Sequence, residues 1–207
     1  DSGRTEKSVH CLVEIAELLG CAVVETRSTG ALNFPRNHPL HSGYDPRKAL
    51  AGADAILLLA VIAPWHPASA TPSPGATVAI LDENPLRHDM PYYGYQADLC
   101  LTGEIESSLE HLLAALKKKI SAGDSSRKQR AEEIGKKNNG QRKAWRDEAI
   151  ALASQKPMDT RWVAHELSQV LPADAMVVEE TITHRLAVHR YLDGEPSVTL
   201  AVFQLPG

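Results

Sequence analysis

The stretch 177–184, VVEETITH, holds the densest set of chemically capable side chains in the sequence. An apolar run ends there in two acids, Glu179 and Glu180. Thr181, Thr183 and His184 then lead into a segment that reads as a helix. Hydroxyls and amides at a strand-to-helix turn can hold a phosphate. A plain N-cap by Thr181 or Thr183 is the competing reading. Asp82 follows another apolar run and opens Asp82-Glu83-Asn84-Pro85. An acid at the carboxyl end of a strand can accept a hydrogen bond from a ribose, or it can cap the turn that follows. Residues 1–4, DSGR, precede a helix and could turn backbone amides toward an anion, against an ordinary loop. His38, His41 and His66 fall in loops, yet no HxH, HExxH or Cys/His spacing builds a metal site. The sequence contains no GxGxxG, no GxxxxGK[ST], no GxSxG and no Cys set beside a His. The residues therefore name no catalytic group and no metal ligand.

The elements that must position these groups read as α/β. Residues 4–19 carry Val9, Leu12, Val13, Ile15, Ala16 and Leu19 at helical spacing, with Gly20 as C-cap. Residues 21–26 (CAVVET) read as a strand and 28–45 as a long irregular loop. Asp45-Pro46 opens a short helix over 47–51. The apolar runs 55–61 and 77–81 read as strands buried on both faces, as in a parallel sheet covered by helices. Pro64, Pro67, Pro72 and Pro74 keep the connection between them from being helical. A short strand over 98–101 leads to a helix over 104–120, with Ile105, Leu109, Leu112, Leu113, Leu116 and Ile120 on one face and lysines at its C-terminal end. A weakly amphipathic helix over 127–153, interrupted near Gly140, follows. Asp159 caps a helix over 160–171 with Trp162, Val163, Leu167 and Val170 inward. A strand over 176–178, a helix over 181–192 and a strand over 197–203 end the chain. The expected architecture is a Rossmann-like parallel sheet with helices on both faces, then a linker helix and a partial second α/β unit.

Length and composition bound this reading. The 207 residues are 43% hydrophobic and 5% aromatic, so the core is built from Ala, Val, Leu and Ile, which suits helix-on-sheet packing. Cys11, Cys21 and Cys100 are scattered and odd in number, which fits reduced thiols in a cytoplasmic protein. No apolar run approaches the roughly 18 residues of a membrane span. The start, DSGRTEKSV, does not read as a signal peptide, and its abruptness ahead of a helix suggests that something precedes it. Residues 117–147 hold 11 of the 22 Lys and Arg and 4 of the 26 Asp and Glu, about +7, against about −11 elsewhere. With one aromatic and interspersed acids, this stretch reads as a solvated linker helix rather than a nucleic-acid arm.

A family resemblance rests on several pieces in order. They are the HPL…G loop (His38, Pro39, Leu40, Gly43), the strand Ala53-Asp54-Ala55-Ile56-Leu57, and Pro64-Trp65. Asp82 with Pro85 and the ADL…G stretch (Ala97, Asp98, Leu99, Gly103) follow them. Together they resemble the central domain of thiamine-diphosphate-dependent enzymes, with an acetolactate-synthase-like flavour. MDTRWVAHELSQVLPADAMVVEETITH resembles the opening of the diphosphate-binding domain. The resemblance implies a central domain over 1–121, a basic linker over 122–156 and an incomplete diphosphate-binding domain over 157–207. It implies that Glu180, Thr181, Thr183 and His184 approach the diphosphate. It also implies thiamine diphosphate and Mg²⁺ as cofactors, with FAD or ADP in some branches, and a 2-keto acid substrate. The implied parent is a homo-oligomeric carboligase or decarboxylase, a dimer or tetramer, with no nucleic-acid or membrane partner. A glutamate-bearing first domain and a GDG motif do not occur in the sequence, so the chain by itself is expected to be an inactive fragment. The alternative is a non-catalytic nucleotide-binding or scaffold module on the same fold.

Overall fold

A computed structural model describes residues 2–26, 33–88, 90, 94–120, 124–172, 175–179, 181, 183–192 and 199–202. Helix α1 (Glu6–Leu19) starts where the Thr5 side chain accepts the Ser8 amide at 3.2 Å, and stops at Gly20, whose φ of 59° is left-handed. Three strands form a parallel sheet in the order β1 (Ala55–Leu59), β2 (Thr77–Asp82) and β3 (Leu99–Thr102). Ala55 pairs with Thr77 and Ala79 with Leu99. Helix α3 (Ile105–Lys119) begins at Glu104, whose carboxylate accepts the amides of Glu106 and Ser107.

The pleat of β2 divides the core. Leu81 faces the helical layer, where Leu12, Ile15 and Ala16 of α1 pack with Leu109 and Leu113 of α3. Val78 and Ile80 face the other side, with Leu58, Trp65 and Leu50 of the short helix α2 (Arg47–Leu50). Pro46, not Asp45, holds the N-cap position of α2; the Asp45 carboxylate accepts the Arg47 amide at 3.1 Å from one residue further out. This is the α/β, Rossmann-like layering that the apolar runs indicate.

Helix α4 (Ser125–Ala151) runs unbroken through Gly140, contrary to the interruption expected there. One of its faces is docked. Asn138 Nδ2 donates to Pro39 O at 2.8 Å and to Ser42 Oγ at 3.0 Å, and Arg142 Nη1 donates to His38 O at 3.3 Å. Arg130 Nε donates to Gly20 O at 2.9 Å, supplying a cation and a donor to the C-terminal end of α1. Beyond α4 lie α5 (Thr160–Val170), β4 (Met176–Glu179), α6 (Arg185–Tyr191) and β5 (Thr199–Val202), with β4 and β5 paired in parallel. Ala149, Ala164 and Tyr191 form a small core between α4, α5 and α6.

Four expectations need correction. The stretch 21–26 is no strand of the sheet. It makes one parallel bridge, Val23 to His41, because its amides and carbonyls pair with the loop at 40–43. Strand β1 is not buried on both faces, since Leu57 is 39% exposed, and the residues of the short strand β3 are all exposed. Both are outer strands of a three-stranded sheet, so less of the molecule covers them. On α5, Ala164 and His165 are buried, while Val163 and Leu167 are exposed and Val170 is 73% exposed. Helical spacing marks a stripe but does not say which stripe meets a neighbour. The last helix starts at Arg185, shorter than 181–192, since residues 181 and 183–184 form the turn from β4.

Candidate functional site

The turn after β4 is set by the elements on either side of it. Glu180 lies outside the described residues. Thr181 is half-buried, and Thr183 and His184 are exposed. His184, not a threonine, occupies the position before α6, and its side chain makes no capping bond. Its Nδ1 instead lies 3.1 Å from Thr160 Oγ1, which ties the turn to the start of α5. That start is itself well held. The Asp159 carboxylate accepts the Arg161 amide at 2.9 Å and the Arg161 guanidinium Nη2 at 2.8 Å. Arg161, through its hydrogen bonds to Asp159, holds that carboxyl down to about 2. Arg161 Nη1 and the Tyr191 hydroxyl both donate to Glu148 at 2.6 Å, which fixes α5 and α6 to α4. Burial, followed by the hydrogen bond to Glu148, pushes the Tyr191 hydroxyl up to about 12.

The turn therefore presents threonine hydroxyls and an imidazole beside a helix start. Such donors suit the oxygens of a diphosphate. Mg²⁺, a hard cation, takes carboxylate, carbonyl and hydroxyl oxygens in octahedral geometry, so the imidazole is the donor of this turn least suited to it. Among the described residues, no three His, Cys, Asp or Glu side chains gather where they could hold a metal ion.

The other sequence candidates are occupied by structural partners. Asp82 is 5% exposed; its Oδ1 accepts the Asn84 amide at 2.8 Å, and its Oδ2 is paired with the Arg87 guanidinium. It caps its own turn, with both oxygens already engaged within it. The Gly3 amide donates to Asn33 Oδ1 at 2.9 Å, which closes the opening residues as an ordinary loop. His38 accepts the Leu40 amide on Nδ1 and sits 3.2 Å from Glu17 through Nε2. His66 is exposed. His41 is buried against Glu25, a pairing that sequence reasoning missed. The available signal was a lone acid inside the apolar run 21–26. Cys11, Cys21 and Cys100 are free thiols. Among the described residues, no helix is long and apolar enough to cross a membrane.

Solved structures resemble this arrangement. An enzyme from Mycobacterium smegmatis, assigned as thiamin diphosphate-dependent, superposes with a TM-score of 0.61 at 19% identity, over 95% of this chain and 36% of its own. Benzoylformate decarboxylase from Polynucleobacter necessarius superposes with a TM-score of 0.65 at 16% identity, over 95% of this chain and 35% of its own. At 19% and 16% identity these likenesses show a shared α/β fold. The chain spans about a third of the solved structures it matches. No family model matches it, and no curated protein does.

Proposed function

We propose that the chain is the central domain and the start of the diphosphate-binding domain of a thiamine-diphosphate-dependent enzyme. The intact enzyme would be a carboligase or decarboxylase acting on 2-keto acids, acetolactate-synthase-like and homo-oligomeric. The observation that carries this reading is the match of 95% of the chain to about a third of each of two such folds. The division at 1–121, 122–156 and 157–207 belongs to the proposal, with the basic stretch joining the two units. Glu180, Thr181, Thr183 and His184 are its diphosphate-facing residues. The bound cofactor supplies the carbanion chemistry, and the protein positions it. In this chain Thr160 orients the His184 ring, and the Asp159–Arg161–Glu148–Tyr191 chain of contacts fixes the helices that carry the turn. Because the chain covers only about a third of each matching structure, we assign it scaffold and one wall of the cofactor site rather than a complete catalytic centre.

Isothermal titration of thiamine diphosphate with Mg²⁺ into the 207-residue chain tests the reading, with FAD and ADP as parallel titrants. Weak saturable binding of thiamine diphosphate, lost in a Thr181→Ala/Thr183→Ala double variant, is expected if the turn forms a diphosphate wall by itself. Binding of FAD or ADP instead would favour the nucleotide-binding module. Heat that survives the double substitution would remove the turn from the site.

A further inference from the structure

Glu25 and His41 are each 5% exposed. Glu25 Oε1 and His41 Nε2 are 3.8 Å apart, and neither atom has a hydrogen-bond partner among the described residues. Backbone bonds from Val23 to Leu40 and from Glu25 to Gly43 bring the two side chains together. The His41 ring lies parallel to Phe34 at 6.4 Å between centroids and edge-on to Tyr44 at 5.4 Å. Tyr44 packs 5.1 Å from His189 of α6, and its hydroxyl donates to the His189 carbonyl at 3.2 Å. The pair thus lies beneath the seam where loop 33–44 meets α4 and α6. Among the described residues, the charged and titratable groups facing it are Arg36 and His38 from the loop, Arg142 from α4 and His189 from α6.

We propose that Glu25 and His41 hold one proton between them, and that gaining a second or losing the first loosens loop 33–44 from α4 and α6: a pH-sensitive latch. The reason is the cost of a bare charge in a buried site. With one proton, the pair is either two neutral groups or two charges that offset each other. With two, an imidazolium faces Arg36 and Arg142. With none, a buried carboxylate is left beside a neutral ring. Burial drives Glu25 up to about 7, against the opposing pull of Arg36 and the Phe34 amide. Burial, with the charges of Arg36 and Arg142, drives His41 down to about 3.

The two groups act with opposite sign on stability. Glu25 is raised above its unfolded value, so its contribution is present at low pH and is lost as pH rises through about 7. His41 is depressed, so its contribution is present above its unfolded value of about 6.5 and is lost as pH falls toward about 3. Between pH 6 and 8, linkage gives about a tenfold loss in the folding constant from Glu25 and about a fourfold gain from His41, a net loss of about threefold.

Urea denaturation of the 207-residue chain and of E25Q and H41Q, at pH 6 and pH 8, separates these contributions. E25Q is expected to become about fourfold more stable over that interval, and H41Q about tenfold less stable. If both variants follow the wild-type pH dependence, the shared proton is overturned; should one variant fail to fold, the other decides. The infrared band of a protonated buried carboxyl should be present at pH 6 in the wild type and missing from E25Q, and a wild type without it also overturns the pairing. The latch is read by hydrogen exchange, corrected for intrinsic rates. The amides of Val188 in α6 and of Leu192, its C-cap, should lose more protection between pH 6 and 8 in the wild type than in E25Q, and equal loss overturns it.

Discussion

Gly20 shows how much one residue can fix. Its φ of 59° and ψ of 45° end α1 in the left-handed region, where a side chain costs roughly 1–2 kcal/mol. A Cβ there would also stand 2.2 Å from the Arg127 carbonyl oxygen, a backbone atom that cannot swing away. Gly20→Ala must therefore strain the helix end and push back the first turn of α4 together. A loss above about 2 kcal/mol is expected in urea denaturation. A loss under about 0.5 kcal/mol would show that α4 does not sit tightly on α1. The sequence marks Gly20 as a helix end but not as a contact, because nothing local signals that another backbone passes so near. Asp82 teaches the reverse lesson. Ligand acceptor and turn cap are equally compatible with an acid after a strand; Arg87, five residues on, takes the second oxygen and decides for the cap.

Among the elements, α1, α3 and β2 are legible in the sequence because they bury apolar side chains at their own period. Helix α4 is legible as a helix but its docked face is not, because that face is built from Ala131, Ile134, Gly135, Asn138, Arg142 and Trp145. These recur every three or four residues, as a helix face must, but four of the six are small or polar, so hydrophobic periodicity hardly registers them. The smallness has a purpose at Gly135, where a Cβ would meet Pro39 Cβ at 3.2 Å. The polarity has one at Asn138, which satisfies the Pro39 carbonyl. The turn at 181–184 was legible as a strand-to-helix junction, but its tie to Thr160 joins residues 24 positions apart and leaves no local trace. Asn138→Ala is expected to cost about 1–2 kcal/mol by removing the buried amide's bonds to the Pro39 carbonyl and the Ser42 hydroxyl. Lys143→Ala on the exposed face, which loses only an ion pair to Asp147 at 2.6 Å, should stay within about 0.5 kcal/mol. Equal losses from both substitutions would mean that α4 is solvated all round.

At the scale of the whole molecule, the charges that fasten its elements set its response to acid. Asp45 is held down to about 2 by its hydrogen bonds to Arg47, and Asp159 to about 2 by those to Arg161. Glu104 is lowered by the amides of Ser107 and Glu106, Asp124 by Ser126, and Glu148 first by the Tyr191 hydroxyl. Depressed carboxylates stabilise the fold above their unfolded values and lose that contribution as pH falls from about 4.5 toward 2. His41 adds a loss in the same direction, from about 6.5 down to about 3. Glu25 offsets His41 between about 4.5 and 6.5, so stability should be level there and fall on either side. Urea midpoints at pH 6, 5 and 3.5 should thus be similar for the first two and clearly lower for the third. The caps lie near the surface, where salt screens their attraction, while the buried His41 is shielded from it. Added salt should shrink the drop at pH 3.5 without abolishing it, and H41Q should remove most of the part that salt leaves. A salt-insensitive drop that survives H41Q would place the acid response in neither set of groups.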